Sequence, residues 1–157
     1  EEILLVSKLG QAIRFPEKQV RSMGRVSAGV SGMKVKKDDS IVGMGVISRN
    51  LESPGKKPEV KVLVVTEKGF GKLTPIRAYR LQRRGGVGIK TARISEKSGE
   101  LISARIITNE EEAIAVSKQG QAIRMPLSGI PTQGRATQGV RIMRLQSNDT
   151  VAAITCI

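Results

Sequence analysis

The sequence contains no histidine, one cysteine and few aromatic residues, and each shortage excludes a class of function. Without histidine, neither a Ser-His-Asp triad, nor a Cys-His dyad, nor a histidine-based zinc site can be built. A single cysteine, Cys156, cannot form an internal disulfide, which argues against a secreted scaffold and favours a reducing cytoplasm. The aromatic fraction of 2% argues against single-stranded nucleic acid as a ligand, because such binding usually stacks bases on aromatic rings.

Long apolar runs are also missing. The longest stretches, at residues 3–6 and 62–65, are far too short to span a bilayer, and no signal-peptide pattern opens the chain. The sequence therefore predicts a cytoplasmic protein without a membrane partner.

Positive charge is abundant. The 157 residues, enough for one ordinary domain, include 27 Lys and Arg against 14 Asp and Glu, for a formal net charge of +13. A field of this sign attracts polyanions and favours nucleic acid as the partner. From composition alone, a solubilising charge and an anionic membrane surface stay open as alternatives.

One sequence unit occurs three times. Ser7-Lys-Leu-Gly-Gln-Ala-Ile-Arg-Phe-Pro16 returns as Ser117-Lys-Gln-Gly-Gln-Ala-Ile-Arg-Met-Pro126, and a divergent copy, Thr66-Glu-Lys-Gly-Phe-Gly-Lys-Leu-Thr-Pro75, lies between them. Residues 7–35 align with residues 117–145 without a gap, and 13 of these 29 positions are identical. Such agreement indicates a structural repeat.

The spacing of the copies predicts the domain organisation. Copies one and two start 59 residues apart and copies two and three 51 apart, and a Pro/Gly/Lys-rich segment at 50–58 supplies the extra length. We therefore predict a first unit at 1–49, a loop at 50–58, a second unit at 59–109 and a third at 110–157.

Within each unit, β-branched apolar runs alternate with turn signals, and no helical period is present. Predicted first strands lie at 3–7, 61–66 and 113–117, third strands at 30–35, 89–94 and 140–145, and fourth strands at 41–47, 101–107 and 151–157. Gly10, Gly69 and Gly120 suit the positive φ that a hairpin turn after the first strand needs. Four antiparallel strands in about fifty residues predict an all-β fold built from propeller-type blades.

The middle unit carries a basic, glycine-rich segment. Its residues are Gln82, Arg83, Arg84, Gly85, Gly86, Val87 and Gly88. The two arginines place positive charges side by side, and the three glycines allow a tight turn whose N–H groups can approach phosphates. The glutamine can add a neutral hydrogen bond to sugar or phosphate. Taken alone, the segment is also compatible with a solvated glycine turn that happens to be basic.

This segment resembles the gyrase-A box, Gln-Arg-Arg-Gly-Gly-Lys-Gly, of the C-terminal domain of the A subunit of bacterial DNA gyrase, with Val87 in place of the lysine. The segment before the box, Lys68-Gly-Phe-Gly-Lys-Leu-Thr-Pro75, and the later segment Gly134-Arg-Ala-Thr-Gln-Gly-Val-Arg141 are also similar to that family. The resemblance covers essentially the whole chain. It implies a β-pinwheel, a propeller-like disc whose blades exchange strands and whose edge bends DNA. That domain usually has six blades with the box on the first, and the three units here are most similar to the last three, so the box would lie on the fifth.

The predicted DNA-binding residues extend beyond the box. They are Gln82, Arg83, Arg84, Gly85, Gly86, Gly88, Arg80, Lys90 and Arg93 in the middle unit, Arg25 and Lys34 in the first, and Arg135, Arg141 and Arg144 in the third. The net charges of the segments 1–58, 59–109 and 110–157 are +5, +7 and +1, so we expect the middle unit to bind most strongly. Arg14 and Arg124 align with Leu73, which predicts a partly structural position.

The resemblance implies a non-catalytic domain that binds and wraps duplex DNA without sequence specificity and so supports negative supercoiling. We predict no catalytic site, metal or cofactor in this chain, and expect ATP and Mg²⁺ only elsewhere in an ATP-dependent type II topoisomerase. The implied partners are double-stranded DNA and, in a heterotetramer, the remainder of gyrase A together with gyrase B, in the nucleoid-containing cytoplasm. Tyr79, the only tyrosine, is predicted to pack and not to attack DNA.

Two alternatives stay open. Topoisomerase IV has a comparable domain in its own gyrase-A-like chain, with a degenerate box, although the six retained box positions favour gyrase. A β-repeat scaffold that binds proteins, with incidental positive charge, is the alternative from a different class.

Overall fold

The computed structural model describes residues 1–48 and 59–157 as an all-β chain of short antiparallel strands. The predicted loop at 50–58 lies outside the described residues. The strands are β1 (Glu2–Ser7), β2 (Gln11–Pro16), β3 (Ile41–Ile47), β4 (Lys61–Thr66), β5 (Phe70–Pro75), β6 (Ile89–Lys90), β7 (Leu101–Ile107), β8 (Glu112–Ser117), β9 (Ala122–Pro126), β10 (Val140–Arg141) and β11 (Val151–Cys156). A single 3₁₀ turn follows each of β2, β5 and β9. Within the described ranges, no helix is long and apolar enough to cross a membrane.

Each unit is built on a β-hairpin: β1 with β2, β4 with β5, and β8 with β9. The predicted turn glycines have the positive φ that the sequence required, 84° at Gly10, 80° at Gly69 and 87° at Gly120. In each turn the glycine N–H donates to a residue three positions earlier, with N···O distances of 3.0–3.1 Å. The predicted hairpins are therefore confirmed, and so is the positive φ predicted for their turn glycines.

The sheets exchange strands between units. The first sheet has the order β3-β1-β2-β6, in which β6 comes from the second unit, and the second has the order β10-β5-β4-β7, in which β10 comes from the third unit. Ala12 pairs with Ile89 in the first sheet, and Gly71 pairs with Val140 at the equivalent place in the second. The predicted four-stranded antiparallel sheets are confirmed for these two, and the exchanged strand is the fourth member. The third sheet, β11-β8-β9, has three strands among the described residues.

The predicted third strands at 89–94 and 140–145 are wrong in length, because each pairs over two residues only. After Lys90 the amides of Thr91 and Ala92 both donate to the carbonyl of Gly10, so the regular ladder ends there. The corresponding amides of the third unit converge in the same way on the carbonyl of Gly69. The segment at 30–35, also predicted as a strand, forms none. No hairpin among the described residues pairs with it as β2 pairs with β6.

The core lies between successive sheets. In β4, Val62 and Val64 face the cluster shared with the first sheet, while Leu63 and Val65 face the cluster shared with the third. The first cluster also includes Leu4, Val6, Ile47, Tyr79 and Leu101, and the second includes Leu73, Ala113, Ala115, Met143, Val151 and Ile154. The middle sheet is therefore buried on both faces, and its β-branched run follows from that position.

The sheets have two different edges, which we call the hub and the rim. At the hub, β3 packs against β7 and β7 packs against β11. Gly43 lies so close to this contact that a Cβ atom on it would stand 2.7 Å from the Cβ of Ala104, and a Cβ atom on Gly45 would lie still closer to the Cγ1 of Ile106. The rim is the opposite edge, where β6 and β10 join the preceding sheets.

The close approach of the next unit to each hairpin turn generates a prediction for Gly10. A Cβ on Gly10 would stand 2.6 Å from the carbonyl oxygen of Ala92, whereas a Cβ on Gly120 would meet nothing within 4 Å. Gly120→Ala should lower the free energy of unfolding by about 1–2 kcal/mol through its positive φ alone. Gly10→Ala should lower it by about 1–3 kcal/mol more, because the neighbouring backbone must also shift.

Urea denaturation of the two variants and the parent chain measures this difference. Since both glycines have nearly the same φ, equal losses in the two variants would contradict the claim that the next unit requires glycine at position 10.

Candidate nucleic-acid interface

Three loops in the same register of the repeat line the rim, and we call residues 23–31, 82–90 and 133–141 the first, second and third connector loops. The second contains the box-like segment. Arg25, Arg84 and Arg135 hold the same position in the three loops. The loops are therefore equivalent elements, and their contacts can be compared one by one.

Both ends of the second and third connector loops are attached to the preceding unit. At the start of the second loop, the N–H of Gln82 donates to the carbonyl of Arg14 at 2.8 Å. At its end, β6 pairs with β2. The third loop repeats this arrangement, with the N–H of Gln133 donating to the carbonyl of Leu73 at 2.8 Å and β10 paired with β5. Each of these two loops consequently bridges two units.

The loops also touch one another in series. The Nη1 of Arg84 donates to the carbonyl of Ser31 in the first loop, and the Nη1 of Arg135 donates to the carbonyl of Lys90 in the second at 2.9 Å. The residues just after each loop reach the following one, since the N–H of Lys34 donates to Gly86 at 2.9 Å and the N–H of Arg93 donates to Thr137 at 3.0 Å. We call residues 23–34, 82–93 and 133–144 the rim strip. The strip is continuous across all three units.

The rim strip brings together thirteen of the fourteen predicted site residues. Its exposed cations are Arg25, Lys34, Arg83, Lys90, Arg93, Arg141 and Arg144. Arg80 is exposed as well but precedes the strip. The guanidinium of Arg141 lies 5.3 Å from the ring centroid of Phe70, within cation–π range, which holds this charge at the surface.

Several box residues have partners inside the protein, which corrects how the segment was expected to work. Only Arg83 of the two box arginines is exposed, since Arg84 is partly buried and also donates from Nε to the carbonyl of Gln19 at 3.0 Å. The N–H of Gly85, expected to face a phosphate, donates to Gly32 at 2.8 Å. Gly88 is required by packing, because a Cβ there would lie 2.5 Å from the carbonyl of Ala12.

The remaining box residues lie against the first unit. Gln82 and Gly86 are both partly buried, and a Cβ on Gly86 would lie 3.5 Å from the Cδ1 of Ile13. The glycine turn is thus built to fit a neighbouring sheet as well as to present charge.

Arg14 is buried, and its predicted structural role is confirmed. Its Nη2 lies 2.5 Å from the carboxylate of Glu2, and its Nη1 donates to the carbonyls of Ile76 and Tyr79 at 3.1 Å each. Arg124, the aligned residue of the third unit, is exposed and paired with Glu112. The arginine at this position of the repeat therefore joins two units in the first unit and lies at the surface in the third.

Lys72 is a buried cation at the second junction that was not predicted from the sequence. Its Nζ donates to the carbonyls of Gly134 and Arg135 at 2.6 and 2.7 Å and to the Oγ1 of Thr137 at 3.0 Å. Burial, and secondly the positive charge of Arg135, lower the pKa of Lys72 to about 8. The sequence did contain a signal of this burial, since the repeat aligns Lys72 with Ile13 and Ile123, which are apolar.

Tyr79 has the packing role that was predicted. It is 1% exposed, and its hydroxyl lies 2.6 Å from the Oγ1 of Thr91. Burial raises the pKa of Tyr79, so the phenol stays neutral. The described part of the chain contains no group of three or more His, Cys, Asp or Glu side chains placed to hold a metal ion.

Comparison with known proteins gives a consistent set of similarities. A family model described as DNA gyrase C-terminal domain, beta-propeller, matches residues 1–48, 61–108 and 111–157. The DNA gyrase A chains of Staphylococcus aureus strains MRSA252 and NCTC 8325 are 40% identical over 154 residues, an alignment that covers 98% of this chain and 17% of those proteins. The chain thus spans about a sixth of the length of these relatives.

Solved structures agree. The chain superposes on a DNA gyrase A C-terminal domain with a TM-score of 0.86 and 27% identity, covering 99% of this chain and 50% of that one. The C-terminal domain of DNA topoisomerase IV gives the same TM-score at 19% identity, covering 99% and 46%, and that likeness shows the fold alone.

The buried amine at the second junction generates a prediction for its titration. Because the pKa of Lys72 is about 8 in the folded chain against 10.5 in the unfolded one, the unfolded chain binds more protons between these values. Lys72 should therefore add to the free energy of unfolding as the pH rises from about 8 to 10.5. In the folded protein, the ¹³Cε chemical shift of Lys72 should titrate with a midpoint near 8.

An ordinary solvent-exposed lysine titrates at about 10.4. A midpoint of Lys72 at that value would show that its amine is not desolvated as described.

Proposed function

This chain belongs to the DNA gyrase C-terminal domain family, and from that membership we propose that it binds duplex DNA without sequence specificity along the rim strip and bends it. The continuity of the strip is the observation that carries the proposal. The first loop meets the second where Ser31 accepts from Arg84, and the second meets the third where Lys90 accepts from Arg135. A duplex that follows one loop is thereby led to the next.

The chemistry of the strip suits phosphates and not bases. Its exposed charged side chains are all Lys or Arg, which bind phosphate oxygens and position DNA without carrying sequence information. The second and third loops are fastened at both ends to the preceding sheet, so neither is free to enter a groove. Affinity should therefore come from charge neutralisation and counterion release.

Magnitudes indicate how far such a strip can bend DNA. Seven exposed cations at about 0.2–1 kcal/mol each give about 1.4–7 kcal/mol of attraction. Bending 20–30 bp by 40–90° costs about 1–6 kcal/mol. The two terms are comparable, so bending by these three units should be favourable at low salt and should weaken steeply as salt is added.

In the whole protein, we propose that this domain supports negative supercoiling by a type II topoisomerase of the gyrase type. ATP hydrolysis, Mg²⁺ and DNA cleavage would belong to other parts of a gyrase A and B heterotetramer in the bacterial cytoplasm. The 40% identity to gyrase A chains supports gyrase over topoisomerase IV, because the topoisomerase IV likeness is one of fold.

Salt dependence separates DNA binding from a protein-binding scaffold with incidental charge. Each neutralised phosphate contributes about −0.9 to the log–log slope of the association constant against salt. With seven exposed rim cations, we expect a clearly negative slope that is no steeper than about −6. Fluorescence anisotropy of a labelled 30-bp duplex at about 50–200 mM salt measures it, and undetectable or salt-independent binding would reject the function.

Individual rim cations should each account for part of that slope. Arg83→Ala and Lys90→Ala should each make the slope shallower by about 0.9 and weaken binding to unrelated duplex sequences equally. Arg105→Ala is the matched control, because Arg105 is exposed but lies on the hub strand β7. If all three variants lose the same amount, the rim is not the binding surface.

A further inference from the structure

The two partly buried connector arginines make the same contact at both junctions. Arg84 and Arg135 each direct Nη1 to the carbonyl of the residue at the end of the preceding connector loop, Ser31 and Lys90. These acceptors are equivalent positions of the repeat. Because the acceptor is a backbone carbonyl at both junctions, the contact does not depend on the acceptor's side chain. It depends on how closely the two units are placed.

Arg84 shows the contact in detail. Its Nε donates to the carbonyl of Gln19 at 3.0 Å while Nη1 reaches Ser31, so one planar guanidinium joins two segments of the first unit. The side-chain oxygen of Gln19 in turn accepts from the N–H of Arg84 at 2.7 Å. Two donors of the Arg84 guanidinium are thus hydrogen-bonded inside the protein, whereas the neighbouring Arg83 is exposed.

Backbone hydrogen bonds on either side depend on this placement. The N–H of Gly85 donates to Gly32 at 2.8 Å and the N–H of Lys34 donates to Gly86 at 2.9 Å. At the second junction the N–H of Arg93 donates to Thr137 at 3.0 Å. These amides report whether neighbouring loops remain in contact.

We propose that Arg84 and Arg135 are positioning residues that hold successive connector loops together and so set the curvature of the rim, while the exposed cations bind the phosphates. Lysine should not reproduce these contacts, because a guanidinium holds its Nε and Nη donors rigidly in one plane, as Arg84 uses them on Gln19 and Ser31, whereas an ammonium carries its three donors on one atom at the end of a flexible chain. The effect on DNA rests on the proposed function, but the effect on the loops does not.

Substitution by lysine separates position from charge. Arg84→Lys keeps the positive charge and removes the planar guanidinium, so it should leave the salt slope of duplex binding unchanged and reduce the bend of a saturated duplex, seen as lower energy transfer between end labels. Arg105→Lys is the control for both quantities and should leave them unchanged, since Arg105 is exposed on the hub strand β7 and lies outside the rim strip. Arg25→Lys is the control in the same register for the exchange measurement, since Arg25 is exposed in the first loop.

Hydrogen exchange tests the loops without DNA. Arg84→Lys should speed exchange of the Gly85 and Lys34 amides by roughly tenfold, the factor for one lost charge-assisted hydrogen bond, and leave the Arg93 amide unchanged. Arg135→Lys should do the converse, and Arg25→Lys should change none of the three. Far-UV circular dichroism confirms that each variant is folded, and the two junctions provide independent variants should one fail to fold.

The outcomes are distinguishable. Parental bending and exchange in both Arg84→Lys and Arg135→Lys, with a shallower salt slope in Arg84→Ala, would make these arginines phosphate ligands and overturn the proposal. Faster exchange with unchanged bending would overturn the link to curvature. If the parent chain does not bind duplex, the proposed function and that link fail together, and the exchange result alone decides whether the arginines hold the loops.

Discussion

The open backbone edge of each hairpin is the constraint on which the rest of the structure depends. The N–H and C=O groups along β2 and β5 need partners, since unpaired polar backbone at a sheet edge is costly when buried and prone to aggregation when exposed. The following unit supplies those partners through Ile89–Lys90 and Val140–Arg141. Because these hydrogen-bond partners come from the next unit, the connector loop must run along the rim. Its glycines must allow its backbone to approach the sheet closely. The placement of basic residues at the rim is thus a consequence of how the sheets are completed.

The same constraint divides the positive charges by role. Arg14 and Lys72 lie inside junctions, where they donate to backbone carbonyls of the following unit. Arg84 and Arg135 lie at the boundary, and residues such as Arg83 face solvent. Although all of these contribute equally to a net charge of +13, only the exposed group can release counterions from DNA. Composition therefore overstates the charge that is available to a ligand.

Local signals in the sequence were sufficient for the hairpins and for the strands at 41–47 and 101–107, because turn glycines and alternating apolar residues act within one unit. They failed at 89–94 and 140–145, where strand length is set by pairing with another unit and ends at the carbonyls of Gly10 and Gly69. The register of the repeat predicted that basic residues of successive units share one edge, and the rim strip brings them together there. The inward use of Arg84 could not be predicted from periodicity, because it depends on a neighbouring sheet whose distance the sequence does not state. For Lys72, the apolar residues at the equivalent positions, Ile13 and Ile123, were a signal of burial, but its carbonyl and hydroxyl partners lie in the next unit.

Gly43 and Gly45 give the hub a consequence beyond packing. With only hydrogen in place of a side chain, they let β3 come closer to β7 than larger residues would allow. Successive sheets therefore taper towards the hub. The taper is encoded by small residues at the hub, and the charge presented to solvent is encoded by the exposed basic residues of the rim. Substitutions at the hub glycines and among the exposed rim cations can therefore alter shape and surface charge separately, which gives this architecture two independent routes of divergence.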